Sequence, residues 1–137
     1  MIKKKMQILI AEEEADLLIQ LEQALLKYDY GVFTTNNGSQ ATEELKSNRY
    51  DVAILSTKLQ GLDIIEEENY TYATKIIVTS TDNNVRIAVE AMKNGALDFI
   101  TKPFDIAKIH KNITKIATLD RRKSAANKPR ITEENSE

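Results

Sequence analysis

The sequence contains no cysteine, so disulfides and thiolate metal sites are both excluded. Their absence is compatible with a reducing compartment, and a cytoplasmic location is the expectation. An excess of charge of either sign is also missing. With 19 Lys+Arg against 21 Asp+Glu, the formal net charge is -2, and the basic face that direct nucleic-acid binding favours is not indicated. No run approaches the ~18 apolar residues of a membrane-spanning helix. The opening Met1-Ile2-Lys3-Lys4-Lys5 has the charge of a signal-peptide start, but the apolar stretch after it, Ile8 to Ala11, meets Glu12-Glu13-Glu14 at once and is too short for an h-region. It reads as a lysine-rich lead into a first strand. No internal repeat, Walker-type phosphate loop, Ser/His/Asp arrangement or metal-ligand histidine spacing is found. The single histidine, His110, lies off the apolar stripe of its helix and reads as a surface residue.

What is present is a chain of 137 residues, 42% apolar and 29% charged, enough for one domain with a real core. Short apolar runs alternate with helical patterns. Ile8–Ala11, Val32–Thr35, Asp51–Leu55, Ile76–Thr79 and Leu97–Thr101 read as strands. Leu17, Leu18, Leu21, Ala24 and Leu25 form the stripe of a first helix. A second helix follows Asn36-Asn37-Gly38, with Ser39 as the expected N-cap. Another runs from about Asn84 to Asn94, carrying Val85, Ala88, Val89 and Met92, and Gly95 ends it. Asp105 can cap a last helix with Ile106, Ile109, Ile113 and Ile116 on its inner stripe. Between Leu62 and Thr74 a helix starts at Ile64 and is expected to end early, at Asn69-Tyr70. Strand–helix alternation of this length means α/β architecture: roughly five βα units, a parallel sheet and right-handed crossovers. The expected domain covers residues 6–119. Residues 120–137, with Arg121-Arg122-Lys123 and Pro129, carry little apolar content and read as a polar, disordered tail or linker.

Ligands of an open parallel sheet gather beyond the carboxyl ends of its strands, so the residues where the apolar runs stop are the candidate site residues. Glu12 and Glu13 follow the first run. They suit either a helix N-terminus or a hard cation such as magnesium, which takes carboxylate oxygens. Ser56 stops the third run, ahead of Thr57-Lys58-Leu59-Gln60-Gly61-Leu62-Asp63. Ser80 stops the fourth, either as a strand-end cap or as a hydroxyl for a phosphoryl oxygen. Lys102, before Pro103, is either a solvated turn lysine or a point charge for an oxyanion, and a cis bond at Pro103 could aim it inward. Phe99 reads as core.

Taken together, these residues resemble the receiver domain of bacterial response regulators (CheY-like). The resemblance rests on the acids after strand one, the Lys58-Leu59-Gln60-Gly61-Leu62-Asp63 loop, the hydroxyl after strand four and, most specifically, Gly95-Ala96-Leu97-Asp98-Phe99-Ile100-Thr101-Lys102-Pro103-Phe104. It implies a flavodoxin-like, doubly wound five-stranded parallel sheet in the order 2-1-3-4-5, here with a shortened third helix. It also implies that Glu12 and Glu13 are the magnesium-binding acids, Ser80 and Phe99 the switch pair and Lys102 the pocket lysine. The partner face would be made by the fourth helix, fifth strand and fifth helix.

The chain departs from the family pattern at its centre. Ser56 stands where the family has its phosphoacceptor aspartate, and a serine hydroxyl is a poor nucleophile without an activating base. Glu12 and Glu13 stand for aspartates and reach one methylene further. Gln60 stands for a loop proline, and Ile64 for a glycine. The expectation is an atypical receiver in two-component phosphorelay signalling. It acts as a protein-interaction module and not as an enzyme, with a weakened or lost magnesium site, no required cofactor, no membrane or direct nucleic-acid contact, and an emptied pocket in which the longer acids pair with Lys102. Two alternatives stand beside it. One is a magnesium-dependent receiver that still takes a phosphoryl group from a sensor histidine kinase, on Ser56 or Thr57; the other is a flavodoxin-like nucleotide or flavin binder.

Overall fold

The computed structural model describes residues 5–66 and 74–118. Among them, β1 (Gln7–Ala11), β2 (Gly31–Thr35), β3 (Val52–Ser56), β4 (Lys75–Ser80) and β5 (Asp98–Thr101) form one sheet in the order β2-β1-β3-β4-β5. Every neighbouring pair is parallel. The connecting helices are α1 (Ala15–Leu26), α2 (Gly38–Ser47), α3 (Gly61–Glu66) and α4 (Val85–Lys93), with a 3-10 turn at Thr57–Leu59. This is the doubly wound flavodoxin-like fold.

The strands carry unbroken apolar runs because both faces of a parallel sheet are covered. All five residues of β3 are buried, and Ile8, Leu9, Ile10, Ile54, Ile77 and Val78 are at most 1% exposed. Alternate positions divide between the faces. Leu9, Ala11, Ala53, Leu55, Ile76 and Val78 form one cluster with Ala41 and Leu45 of α2, Ile64 of α3 and Ala91 of α4. Helix α1 packs on β1 and β2 and buries Leu21 and Leu25, as its stripe requires.

Two local expectations are corrected. The cap of α2 is Asn37, whose Oδ1 accepts the Gln40 amide at 2.9 Å, so Ser39 lies inside the first turn. In α4 the buried residue is Ala91, while Val85, Val89 and Met92 are 73%, 49% and 46% exposed. Alanine is what a helix lying close to the sheet can bury fully; Ile87 is half-buried, and Val85, Val89 and Met92 are left on the outer side.

A second compact unit starts at Asp105 and holds α5 (residues 106–118). Asp105 Oδ1 accepts the Ala107 amide at 3.1 Å. Ile109, Ile113 and Ile116 are buried and Ile106 is half-buried. The expected early end of α3 at Asn69-Tyr70 and the tail at 120–137 lie outside the described residues.

Candidate functional site

Strand order reverses between β1 and β3, and this is where the carboxyl edge of the sheet opens a crevice. The polar residues that stop β1, β3, β4 and β5 meet there. β1 ends at Ala11, and the Glu12 amide continues the ladder by donating to the Thr35 carbonyl at 3.0 Å. The Glu12 side chain is 2% exposed. Its Oε2 accepts the Glu14 amide at 2.9 Å and the Lys102 Nζ at 2.8 Å. Lys102 is held from its own side, since its amide donates to the Ser80 carbonyl at 2.7 Å and its bond to Pro103 is cis. The ammonium also donates to Glu13 Oε2 at 3.0 Å and stands 4.0 Å from Glu14 Oε2. The side chain of Lys102 is 5% exposed, so a buried cation meets one buried carboxylate, Glu12, a partly buried one, Glu13, and the exposed Glu14.

Burial and pairing act against each other here. Burial pushes the Glu12 carboxyl above its ordinary value, even though Lys102 and the Glu14 amide favour the anion. Burial also pushes on Glu13, but the Ser56 hydroxyl and Lys102 outweigh it and hold that carboxyl below its ordinary value. For Lys102, burial would lower the ammonium; its hydrogen bonds to Glu12 and Glu13 prevail and raise it.

Ser56 is fully buried and sits in register with Thr79. Its Oγ accepts the Lys58 amide at 3.3 Å and caps the Thr57–Leu59 turn, and its hydroxyl serves the Glu13 carboxylate. The loop then turns through Gln60 at φ +64°. Gly61 follows because a Cβ there would lie 2.9 Å from the Ser56 carbonyl oxygen, inside contact distance. Beside Ser56, Thr57 Oγ1 donates to Ser80 Oγ at 2.9 Å, and the Asp82 amide donates to the same oxygen at 3.0 Å. Ser80 is 1% exposed.

Glu12, Glu13, Ser56, Ser80 and Lys102, all singled out by sequence, are thus gathered at one edge. Phe99 is set back from it. It pairs with Val78, two residues before the Ser80–Thr101 pair, and packs half-buried against the core cluster. Two roles at this edge have little or no sequence signal. Glu14 supplies an amide and a third carboxylate, and its only sequence signal is the run Glu12-Glu13-Glu14. Thr57, an alternative acceptor on sequence, has a second role in its bond to Ser80, which joins residues 23 apart and has no sequence signal. Next to Lys102 a cleft of about 390 Å³ opens between Glu14, Leu17, Gln20, Thr81 and Phe104.

One oxygen each from Glu12, Glu13 and Glu14 lie within 4.8 Å of one another, which is suitable donor chemistry for a hard divalent cation. The negative charge is already partly met by a cation of the protein itself. Lys102 already occupies Oε2 of both Glu12 and Glu13. Glu13 Oε1 is the one carboxylate oxygen of the cluster found buried without a hydrogen-bond partner. A cation there would share Glu12 and Glu13 with the ammonium, and Glu13 Oε1 is an oxygen that no hydrogen bond occupies.

The family model for the response regulator receiver domain matches residues 8–114. The chain is 34% identical over 106 residues to response regulator ArlR of Staphylococcus aureus, an alignment that covers 75% of this chain and 48% of that protein. It is 27% identical over 110 residues to the transcriptional regulatory protein ZraR of Klebsiella oxytoca, covering 77% of this chain and 25% of that one. The chain therefore spans at most about half the length of these relatives. Among solved structures, the signal receiver domain of a Vibrio parahaemolyticus protein superposes with a TM-score of 0.81 at 21% identity, covering 90% of this chain and 98% of that one. Among the described residues no helix is long and apolar enough to cross a membrane. With the sheet order, the edge site and the family match in agreement, the chain belongs to the response regulator receiver domain family, the signalling component of two-component systems.

Proposed function

We propose that this receiver is atypical. It serves two-component signalling as a protein-interaction module without aspartyl phosphorylation, because Ser56 occupies the acceptor position at the end of β3. The observation that carries this reading is the state of the pocket. Ser56 is fully buried, and Lys102, the cation that would meet an incoming phosphoryl group, is bonded to Glu12 and Glu13 at 2.8 and 3.0 Å. The longer acids supply internally the negative charge that a phosphoryl group would bring. They hold Lys102, and through its backbone Ser80, in one arrangement.

The alternative acceptors are poorly placed. Ser56 is closed to a donor, and the Thr57 hydroxyl is engaged by Ser80. Magnesium has no required part in this reading, since Lys102 already supplies a cation to Glu12 and Glu13. The partner surface is the outer side of α4, where Val85, Val89 and Met92 are exposed beside a groove of about 460 Å³ lined with Arg86, Glu90 and Lys93. Receiver domains interact with sensor histidine kinases and effectors, and an effector of this kind is the partner proposed for this chain.

The test is a backbone amide NMR titration with magnesium and then with magnesium and beryllofluoride, a phosphoryl mimic. The expected result is no saturable shift at Glu12, Ser56 or Ser80. Saturable shifts that start at these residues and spread to Phe99 and α4 would overturn the proposal and restore a phosphate-dependent role.

A further inference from the structure

The loop from β4 to α4 is built on three amides in sequence, each donating to a side chain two residues back. Asp82 N–H donates to Ser80 Oγ at 3.0 Å, Asn84 N–H to Asp82 Oδ1 at 2.9 Å and Arg86 N–H to Asn84 Oδ1 at 2.8 Å. The last of these is the N-cap of α4. Such local side-chain-to-backbone bonds fix the path of a loop. In this run the second and third acceptors are on exposed residues, while the first, Ser80, is buried. The Ser80 hydroxyl is oriented from outside the loop by Thr57, across 2.9 Å and 23 residues of sequence. Thr57 is itself fixed in the 3-10 turn that Ser56 caps.

We propose that Thr57 is a positioning residue that sets the direction of α4. Its hydroxyl anchors Ser80, Ser80 anchors Asp82, and the chain of caps carries that constraint to Asn84 and Arg86, at the start of the helix that presents Val85 and Val89 to solvent. A turn whose shape is decided at the end of β3 thereby controls an exposed apolar surface, with no bond to an added group. The relay takes its purpose from the phosphorylation-independent interaction module proposed above. Its existence can be tested on folded protein alone, without magnesium or a phosphoryl mimic, so the two can fail separately.

Amide hydrogen exchange and chemical shifts are compared for Thr57→Val, Thr57→Ser and Ser80→Ala. Thr57→Val keeps the shape and removes the donor. Exchange at Asp82 is expected to quicken by about fivefold, the factor that corresponds to one neutral hydrogen bond, with shift changes reaching Arg86 and Val89. Thr57→Ser, which keeps a hydroxyl, restores the native pattern. Ser80→Ala reproduces the Thr57→Val pattern, and the double variant adds nothing to it. Should Thr57→Val disturb the fold, Thr57→Ala removes the same hydroxyl without the added methyl. The proposal is overturned if the changes stay next to residue 57 in a folded variant, if Thr57→Ser behaves like Thr57→Val, or if the two single changes add independently.

Discussion

Replacing Lys102 by Met removes the ammonium and keeps most of the aliphatic volume. Glu12, with 2% of its side chain exposed, then holds a carboxylate beside Glu13 with only the Glu14 amide for company. Breaking a buried pair on one side costs ~3–5 kcal/mol. The protein has one escape, which is to protonate Glu12. From the ordinary value of 4.5, holding the acid form at pH 8 costs about 5 kcal/mol, at 1.36 kcal/mol per pH unit. At pH 5.5 the same protonation costs only about 1.4 kcal/mol. The loss in Lys102→Met is therefore expected to be ~3–5 kcal/mol at pH 8 and to fall toward about 1.4 kcal/mol at pH 5.5. For a domain of this size that is a melting midpoint roughly 12–20 °C lower at the higher pH.

The wild type should slope otherwise. The raised Lys102 contributes stability that is complete below its ordinary value of 10.5 and is lost as pH climbs through the folded value. The lowered Glu13 contributes stability that is complete above 4.5 and is lost as pH drops through its folded value. Glu12, being raised, works in the opposite sense to Glu13 and favours the fold below 4.5, an advantage lost as pH rises through its folded value. Between these windows the wild type is flat, whereas the variant gains stability as the solution is acidified. Urea denaturation across this range measures both curves. A second change, Glu12→Gln, should recover most of the loss, because the neutral amide needs no cation. A variant within 0.5 kcal/mol of wild type at pH 8, or a loss independent of pH, would refute the buried-pair account.

Two further outcomes follow from the loop and the pocket. Gln60 has φ +64°, a conformation proline cannot adopt. Gln60→Pro should therefore lower stability by more than ~1 kcal/mol, and Gln60→Gly should leave it unchanged or raise it by up to ~1 kcal/mol, both read from urea midpoints. On the reading proposed above, Ser56→Asp adds a carboxylate to a pocket whose single ammonium is already shared. It should melt below wild type in chelator and regain stability with millimolar magnesium, by ~2.7 kcal/mol once the metal is a hundredfold above its dissociation constant. An equal magnesium response in wild type and variant would count against that reading of the pocket.

The architecture was legible because it rests on local pattern. The runs Ile8–Ala11, Val52–Leu55 and Ile76–Val78 are continuous because a parallel strand is buried on both faces. The stretch from Gly95 to Phe104 carries the family's fifth strand and its lysine in one contiguous piece, and the place where each run stops marks Glu12, Ser56, Ser80 and Lys102 as edge residues. What sequence could not decide are relations across long separations. Lys102 bonds Glu12 and Glu13, 90 and 89 residues away, because parallel strands joined by crossovers bring their ends to one edge. The share each acid takes then depends on burial. Ser39 and Asn37 are equally plausible caps until the chain path places one at the extended position. Val85, Val89 and Met92 of α4 are exposed while Ala91 is the residue it buries, a division that depends on how the helix lies on the sheet. Thr57 reaches Ser80 because β3 and β4 are neighbours whose ends lie in register. Periodicity and stop signals are properties of neighbouring residues, whereas the pairing of charges and hydroxyls at the edge follows from the strand order, which exists only once the sheet has formed.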